Sequence, residues 1–232
     1  MDILNFISWI RGGRVVTTVN PAQTLLPVGL KDNRRDDGYL AGAISVEDLV
    51  TQLTPTPTYK VFTALLTQSG GDSLATVTSG VPIVIGVSYL ISGNDGNTAD
   101  FTNIGAPNND EGTYFIATGT TPNSWGEFEN AELTYNTGAP VATVLENTIG
   151  DIWFEYIDVG NYSVNSNGLF TLNKTVNTLS QTANISGLSD TPYYAYCNPQ
   201  SQNLLEIVIL DNTLTTLDDL LISKLIEIRV YN

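Results

Sequence analysis

The sequence predicts a mainly β protein, an antiparallel β-sandwich or barrel that follows an N-terminal segment of short helix and loop. Three observations carry this. From residue 59 onward the chain is a series of short runs rich in β-branched and aromatic residues, separated by Gly, Asn, Asp and Pro. Charged residues make up only 14% while Thr, Asn, Ser and Gly are abundant, a balance typical of β-rich, turn-rich chains. With 42% hydrophobic residues over 232 positions, the chain has enough apolar surface to bury a real core and is not disordered.

The N-terminal part differs from the rest. "MDILNFISWIRGG" opens as a short amphipathic helix, with Ile3, Phe6, Ile7 and Ile10 at helical spacing and Gly12 or Gly13 ending it. A helix this short is not stable alone in water, so its apolar face, Trp9 included, must pack on its own domain or dock on a partner. "RVVTTV" at 14–19 reads as a strand, and residues 21–42 read as mostly loop, punctuated by Pro, Gly and Asp. "AISVEDLVTQL" at 43–53 reads as a helix with Ser45 as N-cap and Asp48 three residues later. "TPTPTY" at 54–59 is an extended linker, because residues before proline avoid the helical region, and it places a boundary near residue 57.

Ten strands are expected after that boundary: 60–67, 74–78, 81–91, 112–119, 132–136, 141–148, 151–157, 193–197, 204–212 and 225–232. "TTLDDLLISK" at 215–224 reads as one helical turn.

Charge and composition exclude several function classes. The net charge is −15, and residues 61–232 carry all of it, with three basic and eighteen acidic groups, while residues 1–60 balance at six of each. An acidic body repels nucleic acid and anionic membranes, so neither is expected as a partner. The neutral N-terminal part is the better docking element. With no histidine and the single cysteine Cys197, there is no Ser-His-Asp or Cys-His arrangement, no zinc site of the usual ligands and no internal disulfide. The longest apolar run, 81–91, is too short for a membrane span, and the N-terminus is no convincing secretory signal, so a soluble protein made in a cytoplasm is expected.

Several clusters invite a chemical reading. Glu127, Glu129 and Glu132 in "WGEFENAEL" are a carboxylate group of the kind glycosidases use, but their alternation also describes one solvated face, the stronger reading. Asn94, Asp95, Asn97 and Asp100 offer oxygen ligands for calcium, yet the twelve-residue pattern and its terminal Glu are missing, and an Asn/Asp/Gly turn explains them better. Trp153, Phe154, Tyr156 and Tyr162, and later Tyr193, Tyr194 and Tyr196, are aromatics of which half should be core and the exposed half could stack on sugars. Arg34 and Arg35 in "RRDD" form either a solvated loop or a pairing site for a partner's carboxylates. No cofactor or metal is expected.

"LLPVGLKDNRRDDGYLAGAISVEDL", "YKVFTALLTQSG", "APVATVLENTIG" and the C-terminal "IEIRVYN" resemble structural proteins of tailed bacteriophages, nearest those of Bacteroidetes hosts, crAss-like phages among them, and marine phages. In such proteins the second and third of these runs are almost contiguous; here they are held apart between Gly70 and Gly138. The intervening stretch resembles a small β module of phage fibre proteins, on Asp100–Ala106, Gly112–Pro122 and Trp125. The resemblance implies three parts: an N-terminal anchor at 1–57, a β-rich head-fibre domain at 58–70 plus 137–232, and an inserted small β module at 71–136. A loop tip accepts an insert whose ends are adjacent, and "LATV" at 74–77 and "ELTY" at 132–135 are placed to pair and bring those ends together.

What the resemblance implies of function is a non-enzymatic virion protein, a head fibre or capsid decoration assembled in the host cytoplasm. Its N-terminal part, through Ile3, Phe6, Ile7, Trp9, Ile10, Arg34 and Arg35, would dock on the capsid or another virion protein. Its acidic part would project and adhere, many copies multiplying a weak affinity. A homotrimer is expected, with a dimer next. The rival readings are a tail fibre or receptor-binding protein recognising host surface glycans, and a polysaccharide depolymerase, which would need a paired-carboxylate cleft.

Overall fold

The computed structural model describes residues 25–31, 39–45, 58–94, 96, 98–180 and 193–232. The chain divides into two compact units, Met1–Pro57 and Thr58–Asn232.

In the first unit, strand β1 (Leu25–Lys31) pairs antiparallel with β2 (Tyr39–Ser45), from Leu25 opposite Ser45 to Lys31 opposite Tyr39. This corrects two expectations. Residues 25–31 and 39–42, within the expected loop, are strand, and residues 43–45 close a strand where a helix was expected to begin. Pro27 and Gly29 had read as loop punctuation. In a two-stranded sheet each strand has one partner only, so a residue lacking an N–H is tolerated there. The helix of 1–13, the strand of 14–19 and the docking residues Ile3, Phe6, Ile7, Trp9, Ile10, Arg34 and Arg35 lie outside the described residues.

The second unit is built on two four-stranded antiparallel sheets. The first runs in the order β10 (Val141–Asn147), β3 (Tyr59–Thr67), β16 (Lys224–Tyr231), β13 (Thr175–Leu179). The second runs β11 (Ile152–Asp158), β12 (Asn161–Ser166), β15 (Leu204–Asp211), β14 (Tyr193–Pro199). Period-2 alternation turns Phe62, Ala64 and Leu66 of β3 and Ile226 and Ile228 of β16 inward, against Phe154, Val164, Leu205 and Ile207 of the facing sheet. All are buried in one core, and Phe62 meets Phe154 at 6.1 Å between ring centroids. Each such side chain contributes about 1.5–3 kcal/mol by leaving water. The first and last strands of the unit are neighbours: Tyr59 lies opposite Tyr231 with rings 5.4 Å apart, and the Arg229 guanidinium sits 4.8 Å over the Tyr59 ring.

Between β3 and β10 the chain forms a third sheet, in the order β4 (Leu74–Val77), β9 (Glu132–Asn136), β5 (Ser88–Gly93), β7 (Tyr114–Ile116), with a ribbon of β6 (Ala99–Asp100) and β8 (Ser124–Trp125). Residues 74–77 and 132–136 pair antiparallel, Leu74 opposite Asn136 and Val77 opposite Leu133, and Thr137 N–H donates to the Ser73 carbonyl. The entry and exit of this segment are therefore side by side. It has its own core, built from Tyr89, Ile91, Phe101, Ile104, Phe115 and Leu133.

The residues that carried the fibre-module resemblance build this core. Asp100 accepts from the backbone N–H and hydroxyl of Thr102, the first residue of the 3-10 turn Thr102–Ile104. Phe101 packs edge-on to Trp125 at 5.4 Å. Gly105 adopts φ 110°, where a Cβ would collide with the Ile116 carbonyl oxygen.

The third sheet also lies against the sandwich. The Ala142 N–H of β10 donates to the Gly86 carbonyl at 2.8 Å, and the Phe154 N–H of β11 donates to the Ser88 hydroxyl at 2.8 Å. Ile116 reaches into the sandwich core. β10 and β11 are edge strands, one in each sheet, and unpaired edge groups template aggregation unless covered. The segment packs along β11 and bonds to β10 at Ala142, while Thr143–Asn147 of β10 stay exposed.

Elsewhere the structure revises the sequence expectations. Residues 81–87 form turns, and the strand begins only at Ser88. Gly86, at φ 88°, must bring its carbonyl to β10, which an extended strand would not do. Strands β12 and β13 lie where none was expected. Residues 215–223 are irregular rather than helical: Asp219 and Ser223 take positive φ, and the preceding turn is set by Asp211, which accepts from the N–H groups of Thr213 and Thr215.

Candidate functional site

The face of the third sheet that is turned away from its own core carries Ser88, Leu90, Tyr114 and Thr134, because alternate residues of paired strands share a face. Where this face diverges from β11 it leaves a cleft of about 160 Å³, lined on one side by Leu74, Leu90, Tyr114 and Thr134 and on the other by Glu155 and Tyr156. Its floor is the buried Ser88–Phe154 contact.

Side chains in the cleft are fixed by their neighbours. The Tyr114 ring stacks on Trp153 with centroids 5.1 Å apart and planes 10° apart. Burial, and then the adjacent Glu155 carboxylate, raises the pKa of the Tyr114 hydroxyl, which keeps it a donor to Glu155. On its other side Glu155 accepts from the Asn165 amide at 2.8 Å, and that amide also reaches the Ser163 hydroxyl at 2.8 Å. An ionised carboxyl group offers about four acceptor positions, so two neighbours leave Glu155 with acceptor capacity to spare. Among the described residues, Glu155 is the one carboxylate lining the cleft.

Tyr156, at the cleft wall, belongs to a second polar cluster. Its hydroxyl donates to Asp218 at 2.9 Å; the hydroxyl of the buried Tyr162 donates to the same carboxylate at 2.7 Å, and Gly160 N–H at 2.8 Å. Burial, reinforced by the Asp218 carboxylate, pushes the Tyr156 hydroxyl up to about 12 and raises Tyr162 as well. Gly160 takes φ 65°, and a Cβ there would strike Leu217, so the loop can approach only a glycine. Asp219 continues the seam by accepting from Gly70 N–H at 2.8 Å. Thus one irregular loop ties together the second sheet and the point where the inserted segment leaves β3.

The sequence-predicted candidates fall differently. Glu127, Glu129 and Glu132 are exposed and apart from the cleft; Glu129 lies in a turn at φ 53° and accepts from the Ser79 hydroxyl at 2.9 Å. Of the proposed calcium ligands, the Asn94 side chain links Ala99 N–H to the Asn109 carbonyl, and Asp100 is held by Thr102 and by Asn123. Asp95 and Asn97 lie outside the described residues. Among the described residues no three His, Cys, Asp or Glu converge as a metal site. Phe154 and Tyr162 are core, Trp153 backs the cleft, and Tyr194 and Tyr196 stand exposed on β14. Cys197 is buried and its thiol is pushed up to about 12 by that burial, which makes it a packing residue. Tyr114 and Glu155, central to the cleft, were not singled out; the alternation of Trp153 and Glu155 on one face of β11 was the available signal.

Comparison with protein-family models, with curated proteins and with solved structures returns no match.

Proposed function

We propose that the protein is a non-enzymatic structural component of a tailed-phage virion, a head fibre or capsid decoration, anchored by residues 1–57 and projecting its acidic β-rich body from the particle. The observation that supports it most is where the fibre-module residues go. Asp100, Phe101, Ile104, Gly105, Phe115 and Trp125 are consumed in local hydrogen bonding, core packing and close backbone approach. Residues spent this way specify a building block rather than a reaction centre. The body is adhesive in this reading, and many copies on one particle raise its effective affinity. A homotrimer, or failing that a dimer, displays it.

The test is incorporation. Antibody labelling of particles should decorate the virion. A chain carrying Phe6→Asp and Trp9→Asp should fold yet be missing from particles. Normal incorporation of that double variant would place the anchor elsewhere, and absence of label from purified virions would overturn the reading.

A second reading, recognition of host surface glycans by a tail fibre or receptor-binding protein, is favoured by one feature, the aromatic and carboxylate-lined cleft beside β11.

A further inference from the structure

We infer that the cleft between the third sheet and β11 is a binding subsite for one uncharged sugar ring of the pyranose class. The inference rests on the adhesive reading above and deepens it by naming the residues and the ligand chemistry. Size comes first. The cleft is about 160 Å³. A cavity of about 150 Å³ accommodates a benzene-sized molecule, so this cleft is of a size to seat one six-membered ring.

The lining selects among six-membered rings. A pyranose has hydroxyls around its edge and C–H groups on its faces. Tyr114, held rigid by its stacking on Trp153, supplies a flat apolar wall, and Leu90 extends it. At the edge of that wall, Glu155 is oriented in advance by the Tyr114 hydroxyl and Asn165 and keeps acceptor positions for hydroxyl donors. Thr134 lies on the sheet face beside Leu90 and Tyr114, with a hydroxyl that can both donate and accept. An aromatic plane with polar groups fixed beside it is a polar-edged, apolar-faced site.

Charge decides the class of sugar. No Lys or Arg lines the cleft, Glu155 is inside it, and Asp72 is tethered at its rim through Asn136 at 2.6 Å. An anionic sugar would enter against this field and against a body with eighteen acidic and three basic groups. Uncharged hexoses and N-acetylhexosamines remain.

The test uses the purified full chain and a panel of methyl pyranosides of glucose, galactose, mannose and N-acetylglucosamine, with N-acetylneuraminic acid as the charged comparator. Saturation-transfer NMR and backbone amide shifts are the readouts. At least one neutral glycoside should bind with a dissociation constant on the order of 1–10 mM, the range of a single-ring site. It should shift amides of β7 and β11, and the charged comparator should not. Tyr114→Ala and Glu155→Gln should each weaken binding at least about tenfold. Thr134→Val, a rim change compatible with the strand, keeps the test sound if either of those variants unfolds, and should weaken binding severalfold. Saturable binding of no neutral glycoside overturns the inference. Equal binding of the acid overturns the ligand class, and wild-type affinity in folded Thr134→Val and Glu155→Gln overturns the site. These outcomes are read on isolated protein, so they are independent of whether the chain is found on virions.

Discussion

The Phe154 amide donates to the Ser88 hydroxyl at 2.8 Å, and this buried bond joins two strands 66 residues apart. It replaces the strand partner that β11 lacks at the edge of its sheet. Ser88→Ala removes the acceptor and leaves a buried N–H unpaired. The cost should be about 1–3 kcal/mol, seen as a lower urea midpoint at unchanged slope. Ser88→Thr, which keeps the hydroxyl and suits a strand, should restore most of it. An Ala variant as stable as the parent would show that β11 is not held this way.

Joining Gly70 directly to Thr137 removes the inserted segment between positions that lie close together. Thr137 and Gly71 already contact through the Thr137 hydroxyl, and Thr137 N–H bonds to Ser73. Loop closure should change by only about 1–2 kcal/mol. The shortened chain should keep β-type circular dichroism and cooperative unfolding. It also loses the segment packed on β11, so it should be less stable and should self-associate beyond the parent's own oligomeric state with rising concentration by light scattering. Parental stability together with the parental oligomeric state would refute the edge-covering role. An unfolded product would show that the segment, through Ile116, is indispensable to the core.

Asp218→Ala should be among the most damaging single changes in the second sheet. It strands the buried Tyr162 hydroxyl and frees the loop from Gly160, at about 2–4 kcal/mol by denaturant titration. The cluster also sets an alkaline limit. The Tyr156 pKa is raised from 10.0 to about 12 on folding, so its stabilisation is complete below the unfolded value and is lost as pH rises through that window. Unfolding followed from pH 9 upward should therefore steepen between 10.0 and about 12, and Tyr156→Phe should flatten part of that slope. An identical alkaline profile in the Phe variant would contradict the linkage.

At the acid end Asp100 takes the corresponding role. Hydrogen bonds from Thr102 and then from Asn123 lower its pKa from 3.8 to about 2. A depressed carboxyl stabilises the fold above the unfolded value, and the benefit is lost as pH falls from 3.8 toward about 2. The half-buried residue keeps access to solvent, so the effect should be modest and reduced by salt. Asp100→Asn should lower stability at neutral pH slightly and remove this share of the acid-induced loss. Equal slopes for both proteins between pH 4 and pH 2 would count against it.

Local pattern alone carried the mainly β character and most strand positions, because period-2 burial is written residue by residue. In β3, Phe62, Ala64 and Leu66 are separated by the half-buried Thr63 and Leu65 and read directly as an inward face. The pairing of 74–77 with 132–136 was also legible, since two short strands flank one segment. Strand β12, "NYSVNS", was not. All but its first residue are buried, with Ser163 and Asn165 paired to each other and Asn165 to Glu155, so its polarity resembles a turn until the neighbouring strands are in place. The cleft was hidden for the same reason. Trp153 and Tyr156 stood out as aromatics, but Tyr114 is 39 residues from Trp153 in sequence, and nothing local predicts that their rings stack. Composition fixed the acidic body and the absence of histidine chemistry. The tertiary structure alone decided that the segment between β3 and β10 packs beside β11 and leaves a cleft there, because edges and clefts exist only once distant strands have found their partners.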